Sequence, residues 1–374
     1  MTWNEWADAA RAAIRDGGRW RAPRDFDARG PEGVLDGRAV VSFASNDYLG
    51  LTHHPRVVAA AHDALDRWGA GAGSARLIVG SRPVHTEAEH ALAEWKGVRR
   101  AALFPTGFAA NLGVLTAFGG PDVLVCSDEL NHASIIDGCR LSRSHVAVYR
   151  HQDVDHLVAA LATRGDRRAI VASDTVFSMD GDLADVDTLR TVAADHGALL
   201  VLDEAHAVLG PYVVPSPDSE PVVRVGTLSK TLGALGGFVA GPARYVEIVE
   251  NTARPYIFTT APTPADTAAA LAALGVLRSA EGVALIARLR AHVDRLRPGH
   301  PSPIVPFVCG QEARALDAAR ALLDRGVLVP AIRPPTVPSG TSRLRVALSA
   351  AHSDAHVDQL TAALAGVFGA VPQR

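Results

Sequence analysis

Lysine is almost absent from this chain: of 37 basic residues only Lys96 and Lys230 are lysines. Cysteine is scarce too, and Cys126, Cys139 and Cys309 are far apart and odd in number, which fits neither a disulfide scaffold nor a zinc site. No apolar run approaches the roughly 18–20 residues of a membrane-spanning helix. The opening MTWNEWADAARAAIRD has charges at helical spacing and no apolar signal core, so a reducing cytoplasm is the expected location. A formal charge of −3 leaves no global basic field for nucleic acid or an anionic membrane. What remains is an ordinary globular composition, 48% apolar and 21% charged over 374 residues, enough for a large core and two domains.

The scarcity of lysine is itself informative. Arginine stays protonated, whereas a desolvated lysine loses its proton and serves as nucleophile or base. Lys96, in HALAEWKGV at the polar end of an amphipathic helix, reads as a solvated surface charge. Lys230, in VVRVGTLSKTLGALGG between an apolar run and a glycine-rich stretch, reads as functional.

Periodicity predicts a helix to about Arg15, an Arg/Gly/Pro-rich connector through Gly37, and a short strand at AVVSFASN. HPRVVAAAHDALDRWG and VHTEAEHALAEWKG read as helices around GAGAGSARLIVGS, a flexible glycine loop. From residue 100, the runs RRAALF, DVLVCS, HVAVY, AIVAS, ALLVLD and VVRVGT alternate with helical stretches, predicting a largely parallel sheet covered on both faces. A long helix is expected over 265–296, bridging to a smaller α+β domain. The expected division is 1–45 (helix and connector), 46–275 (large α/β domain) and 276–374 (small C-terminal domain).

Ligands of open parallel sheets bind at the carboxyl ends of the strands. Here those ends carry Asp203, with His206 close behind, and Thr227, leading to Lys230. They also carry Asp174, leading to Ser178, and approach His132. RRAALF runs into Thr106-Gly107-Phe108, a strand–Gly–helix junction suited to a phosphate. A buried aspartate, a lysine, histidines, hydroxyls and a phosphate nest are what a pyridine-aldehyde phosphate uses. Singly, each residue has an innocent reading: Asp203 as a helix cap, His132 as a surface histidine, Gly107 as a turn glycine, and Arg343 and Arg345 as braces for acidic surface groups. Order and spacing together favour the functional one. DEAH at 203–206 lacks a GxxxxGK[ST] partner, GAGAGS follows a helix rather than a strand, and no HExxH spacing suggests a metal.

In SNDYLGL, FPTGFAAN, ELNHASIIDG, VFSMDGDLADV, VLDEAHAVLG, GTLSK, YIFTTAPTP and AIRPPTVPSGTSRLRVALSAAH the chain resembles the α-oxoamine synthases over nearly its whole length. The resemblance implies a fold-type-I, aspartate-aminotransferase-like α/β fold and pyridoxal 5′-phosphate as cofactor. It implies Lys230 as the Schiff-base lysine, Asp203 as partner of the ring nitrogen and His132 stacked on the ring. His206 and Ser178 then serve the phenolic oxygen, and Thr227, Gly107 and Phe108 the phosphate. Thr260 is implied to reach the neighbouring subunit's phosphate in a homodimer with shared sites. Arg333 and Thr336 are implied to bind substrate, with Arg333 on the amino-acid carboxylate, and Arg19 (or Arg21) is implied as a further substrate arginine. RPPTVP followed by RLR is most similar to the branch that condenses L-alanine with a pimeloyl thioester, carried by coenzyme A or a carrier protein. A sister reaction using glycine or serine, a non-catalytic subunit and an aminotransferase stay open. The glycine loop lacks consecutive glycines, and Asp174 stands where a glutamate is expected.

Overall fold

The structure is a computed structural model describing residues 1–215 and 218–369. The first helix, Trp3–Asp16, is capped by Thr2 in a capping box with Glu5. The expected connector is not featureless: it holds β1 (Phe26–Ala28) and β2 (Glu32–Leu35), antiparallel neighbours that continue into β3 (Arg38–Ser42). Seven strands make the central sheet: β4 (Arg100–Phe104), β5 (Val123–Asp128), β6 (His145–Tyr149), β7 (Arg168–Asp174), β8 (Leu199–Asp203), β9 (Val222–Thr227) and β10 (Gly237–Gly241). The C-terminal part contains β11 (Ile304–Gly310), β12 (Val327–Leu328), β13 (Ala331–Ile332) and β14 (Ser342–Ala347).

The sheet runs in the order β4-β10-β9-β8-β7-β5-β6, parallel from β9 to β6. Sequence reading missed β10, which is antiparallel to both β4 and β9. Its glycines disguise it, and packing explains them. A Cβ on Gly237 falls 2.4 Å from the Gly107 nitrogen, and one on Gly226 of β9 falls 2.3 Å from the Phe238 ring. The strand thus lies close against the first turn of the helix Gly107–Phe118.

Three further expectations change. The long helix over 265–296 is two helices, Pro264–Leu277 and Ala280–Leu296, bent by 80°. The first is buried among the helices Pro55–Trp68 and Pro83–Lys96, so its apolar length reflects tertiary packing. The glycine loop ends in a five-residue π turn, Arg76–Gly80, clamped by bonds of 2.7 and 2.9 Å from Arg76 to Glu89. Finally, β12 pairs parallel with β3, tying the N-terminal strands to the C-terminal part of the chain. Among the described residues no single helix is long and apolar enough to cross a membrane. Nor, among those residues, do three or more His, Cys, Asp or Glu side chains gather where they could hold a metal.

Lys96 corrects its sequence reading most sharply. Its Nζ lies 2.5 Å from Glu204 Oε2, with the two side chains only 10% and 2% exposed. Arg224 Nε donates to the other carboxylate oxygen at 2.6 Å and Arg224 Nη1 to the Lys96 carbonyl. Burial lowers Lys96 even beside Glu204. Burial pushes Glu204 up, but Lys96 and Arg224 more than offset it and hold the carboxylate below its ordinary range. The helix end looked polar because sequence alone does not show the strand end packed against it.

Candidate active site

Parallel register brings the chemistry together. Asp174 closes β7 directly opposite Asp203, which closes β8, and both side chains are buried. β9 ends at Thr227, three residues before Lys230, and β5 leads to His132, which caps the helix Ala133–Leu141. The helix Gly107–Phe118 starts beside β9, with Thr106 accepting from the Ala109 N–H at 3.0 Å. These ends surround a cavity of about 220 Å³ lined by Gly107, Phe108, His132, Asp203, His206, Thr227 and Lys230.

Buried hydrogen bonds give the cavity a fixed polarity. Asn111 Nδ2 donates to Asp203 Oδ2 at 2.6 Å and to Ser134 Oγ at 2.9 Å. Ser134 Oγ lies 2.7 Å from His132 Nδ1, which also accepts the Ser134 N–H. Because Nδ1 accepts the Ser134 N–H it carries a lone pair, so the Ser134 hydroxyl donates to it and neutral His132 carries its proton on Nε2. Asp174 Oδ2 accepts the His132 N–H at 2.7 Å. Lys230 Nζ is 2.9 Å from His206 Nε2, and Tyr48 Oη is 2.6 Å from His206 Nδ1.

Burial dominates the titration of these groups. It lowers Lys230, which Asp203 and Asp174 raise only in part. It lowers His132, and drives His206 well down with help from Lys230, Arg345 and His132. It lifts Asp174 well above the usual carboxylate range, reinforced by the charge on Asp203. The site therefore disfavours the charged forms of Lys230, of both imidazoles and of the Asp174 carboxyl beside Asp203.

The other sequence candidates lie outside this cavity. Ser178 is held by its carbonyl, which accepts from Arg345 Nε at 2.5 Å. Arg343 and Arg345 do not brace surface groups: both are buried, and Arg343 pairs with Asp180 in the loop that carries Ser178. Thr336 lines a second cavity of about 920 Å³ with Phe177, Met179, Asp180, Pro334 and Arg343. Arg333 Nη1 donates to the Gly18 carbonyl at 2.8 Å, and Arg21 reaches the Pro334 carbonyl at 3.5 Å. Arg19 pairs with Glu312 at 3.4 Å. Thr260 is exposed and bridges Ala75, and it is not among the residues lining its own chain's lysine cavity.

Sequence reasoning assigned no role to Asn111, Ser134 or Tyr48, and read Arg345 as a brace for acidic surface groups. A signal existed for two of them. Asn111 is one helical turn after Gly107, on the face already aimed at the cavity, and Ser134 follows the His132 cap by two residues. Tyr48 and Arg345 come from distant parts of the chain, and only folding brings them near His206.

The donor set fits pyridoxal phosphate. Asn111 Oδ1 is buried without a hydrogen-bond partner, a polar atom that a polar group bound in the cavity can satisfy. A Cβ on Gly107 falls 3.1 Å from Thr227 Cβ, so glycine keeps open a cradle between a helix N-terminus and a hydroxyl. A carboxylate, an imidazole and an amine line the remaining walls.

The chain belongs to the aminotransferase class I and II family, whose model matches residues 38–364. Within that class its similarity points to the α-oxoamine synthases. An 8-amino-7-oxononanoate synthase from Anaeromyxobacter dehalogenans (strain 2CP-1) is 51% identical over 360 residues, covering 92% of this chain and 90% of that protein. One from Pseudomonas putida is 45% identical, covering 91% of each. Among solved structures, the Sphingomonas wittichii serine palmitoyltransferase superposes with a TM-score of 0.88 at 30% identity, covering 99% of this chain and 98% of that one. An SPT structure with PLP matches equally well, at 0.88 and 31% identity over 96% and 97% of the two chains.

Proposed function

We propose that this chain uses pyridoxal 5′-phosphate to condense L-alanine with a pimeloyl thioester, releasing carbon dioxide and free thiol and giving 8-amino-7-oxononanoate. The observation that carries the reading is the convergence of Lys230, one of two lysines in the chain, with Asp203 and His132 on one cavity. The 51% identity to a synthase of that name supports the choice of substrates.

Bound there, pyridoxal phosphate supplies an aldehyde that takes up an amine and a protonated ring that withdraws electrons. Asp203 holds the ring nitrogen's proton, and the Asn111 donor keeps its carboxylate pointed inward. His132, oriented by Ser134 and Asp174, would lie against the cofactor ring. The first N–H groups of the helix at Gly107 and Phe108, with Thr227, bind phosphate. Lys230, desolvated and so available as a neutral amine, removes and returns the proton at the amino acid's α-carbon. His206 and Ser178 serve the phenolic oxygen. Arg333 binds the amino-acid carboxylate, and Thr336, which lines the larger cavity, and Arg19 serve as further substrate contacts.

We assign a homodimer in which Thr260 reaches the partner's phosphate. Next to Thr260 lie Ile78, Val79 and Phe258, 73%, 69% and 68% exposed, an apolar face suited to a second copy. Its three cysteines, free and buried, suit the cytoplasm. The serine palmitoyltransferase superpositions favour one second reading, serine with a long-chain acyl thioester.

The deciding experiment is a thiol-release assay on purified holoprotein, crossing alanine, glycine and serine with pimeloyl, acetyl, succinyl and palmitoyl thioesters on coenzyme A or carrier protein. Alanine with the pimeloyl thioester should release thiol and carbon dioxide in equal amounts. Turnover only with serine and palmitoyl thioester, or thiol release without carbon dioxide, overturns the assignment.

A further inference from the structure

SNDYLGL contributes two side chains that the mechanism above leaves unused. Asn46 Oδ1 accepts from Arg345 Nη2 at 3.2 Å. A guanidinium only donates, so the amide atom facing Arg345 is the oxygen. Tyr48 Oη lies 3.0 Å from that same oxygen, which has no hydrogen of its own, so the phenol hydrogen is donated to Asn46. A phenol has one hydrogen. In the 2.6 Å contact between Tyr48 Oη and His206 Nδ1, the hydrogen therefore belongs to the imidazole, and Nδ1–H donates to the phenol. The other ring nitrogen, 2.9 Å from Lys230 Nζ, is left with its lone pair.

We propose that Arg345, Asn46 and Tyr48 form a one-way hydrogen-bond chain that fixes His206 as its Nδ1–H tautomer, so that Nε2 meets Lys230 and the cofactor's phenolic oxygen as an acceptor. None of the three touches a reacting atom; they are positioning residues acting through His206. The chain is sheltered, because Tyr48 is fully buried and Arg345 nearly so. Burial pushes the Tyr48 phenol up to about 12, against the pull of Arg345, so it keeps the hydrogen it donates. The charged and titratable groups facing His206 are Lys230, Arg345 and His132, and those facing Lys230 include Asp203 and Asp174. Burial above all, with Lys230, Arg345 and His132 adding to it, disfavours a second proton on His206, which leaves the tautomer as the freedom to control.

An Nε2 acceptor favours the phenol form of the cofactor over the phenolate, and so sets the pH at which that oxygen ionises. This consequence rests on the cofactor reading; the tautomer itself does not. Imidazole ¹⁵N NMR on histidine-labelled, cofactor-free protein reads it directly, with the His206 signals identified by their loss in His206→Asn. The wild type should show a protonated Nδ1 and a bare Nε2, and Tyr48→Phe should move the proton to Nε2. Asn46→Asp, which keeps an acceptor between Arg345 and Tyr48, should retain the wild-type tautomer, whereas Asn46→Leu should lose it. With pyridoxal phosphate bound, the phenolate absorbance of Tyr48→Phe should appear about one pH unit lower than in the wild type. A wild-type His206 protonated on Nε2, or a tautomer unmoved in both Tyr48→Phe and Asn46→Leu, overturns the proposal. Failure of thiol release leaves the NMR result standing and removes only the catalytic reading.

Discussion

Replacing Lys96 by methionine tests the buried ion group directly. The change removes a cation 2.5 Å from a carboxylate that is 2% exposed. Breaking a buried pair by deleting one partner costs about 3–5 kcal/mol when the remaining charge is left alone. Glu204 is not left alone, because Arg224 Nε stays 2.6 Å from its other oxygen. That lowers the expected cost to roughly 2–3 kcal/mol. Losing the ammonium, 3.8 Å from the Trp95 ring centroid, adds about 1 kcal/mol. Methionine keeps most of the aliphatic volume, so packing adds little. The total is about 3 kcal/mol, read as a shift in urea midpoint at unchanged slope, on cofactor-free protein at fixed concentration. Adding Glu204→Gln to the Lys96→Met variant should lose further stability, because Arg224, buried and paired with that carboxylate at 2.6 Å, is then left without its counter-charge. A loss below about 1 kcal/mol in the single variant, or no further loss in the double one, shows that solvent reaches the group and that the reasoning is wrong.

His151 gives the pH dependence. Burial pushes it down, but hydrogen bonds to Asp128 Oδ1 at 3.0 Å and Asp182 Oδ2 at 2.7 Å lift it from 6.5 to about 10. A raised folded value means that its stabilisation is complete below pH 6.5 and lost as pH rises through about 10. The ring is partly exposed, which reduces the effect to about 1–2 kcal/mol. Urea midpoints from pH 6 to 10 should fall more in the wild type than in His151→Gln, and parallel curves would remove His151 from the account. Asn111→Leu takes the side-chain donor from Asp203 Oδ2, a charge-assisted bond worth about 1.5–3 kcal/mol, so pyridoxal phosphate should bind about 10–100-fold more weakly. Absorbance titration of cofactor into cofactor-free protein checks this, and affinity within twofold of the wild type would contradict the role given to Asn111.

The order of the strands' chemistry was legible without coordinates. Asp203, Lys230, His132 and Gly107 sit where continuous apolar runs end, and in parallel strands such ends share one edge of the sheet. Position along the chain therefore sufficed to group them, as it did for the helix start at Gly107. It did not suffice for β10, whose glycines answer to the close approach of the Thr106–Gly107 backbone, or for the break at 278–279, where one apolar stretch bends through 80°.

Local pattern thus determined which residues could act: an aspartate closing an apolar strand, a lysine kept in a chain otherwise rich in arginine, a glycine opening a helix. Tertiary structure decided how they act. Lys96 looked like a solvated charge until the end of β8 brought Glu204 against it. Arg345 looked like a surface brace until Asn46 and Tyr48, some 300 residues earlier in the chain, linked it to His206. The physical reason is that burial and hydrogen-bond polarity belong to neighbours in space: a sequence records which groups can donate or accept, and only the folded chain fixes which of them meet.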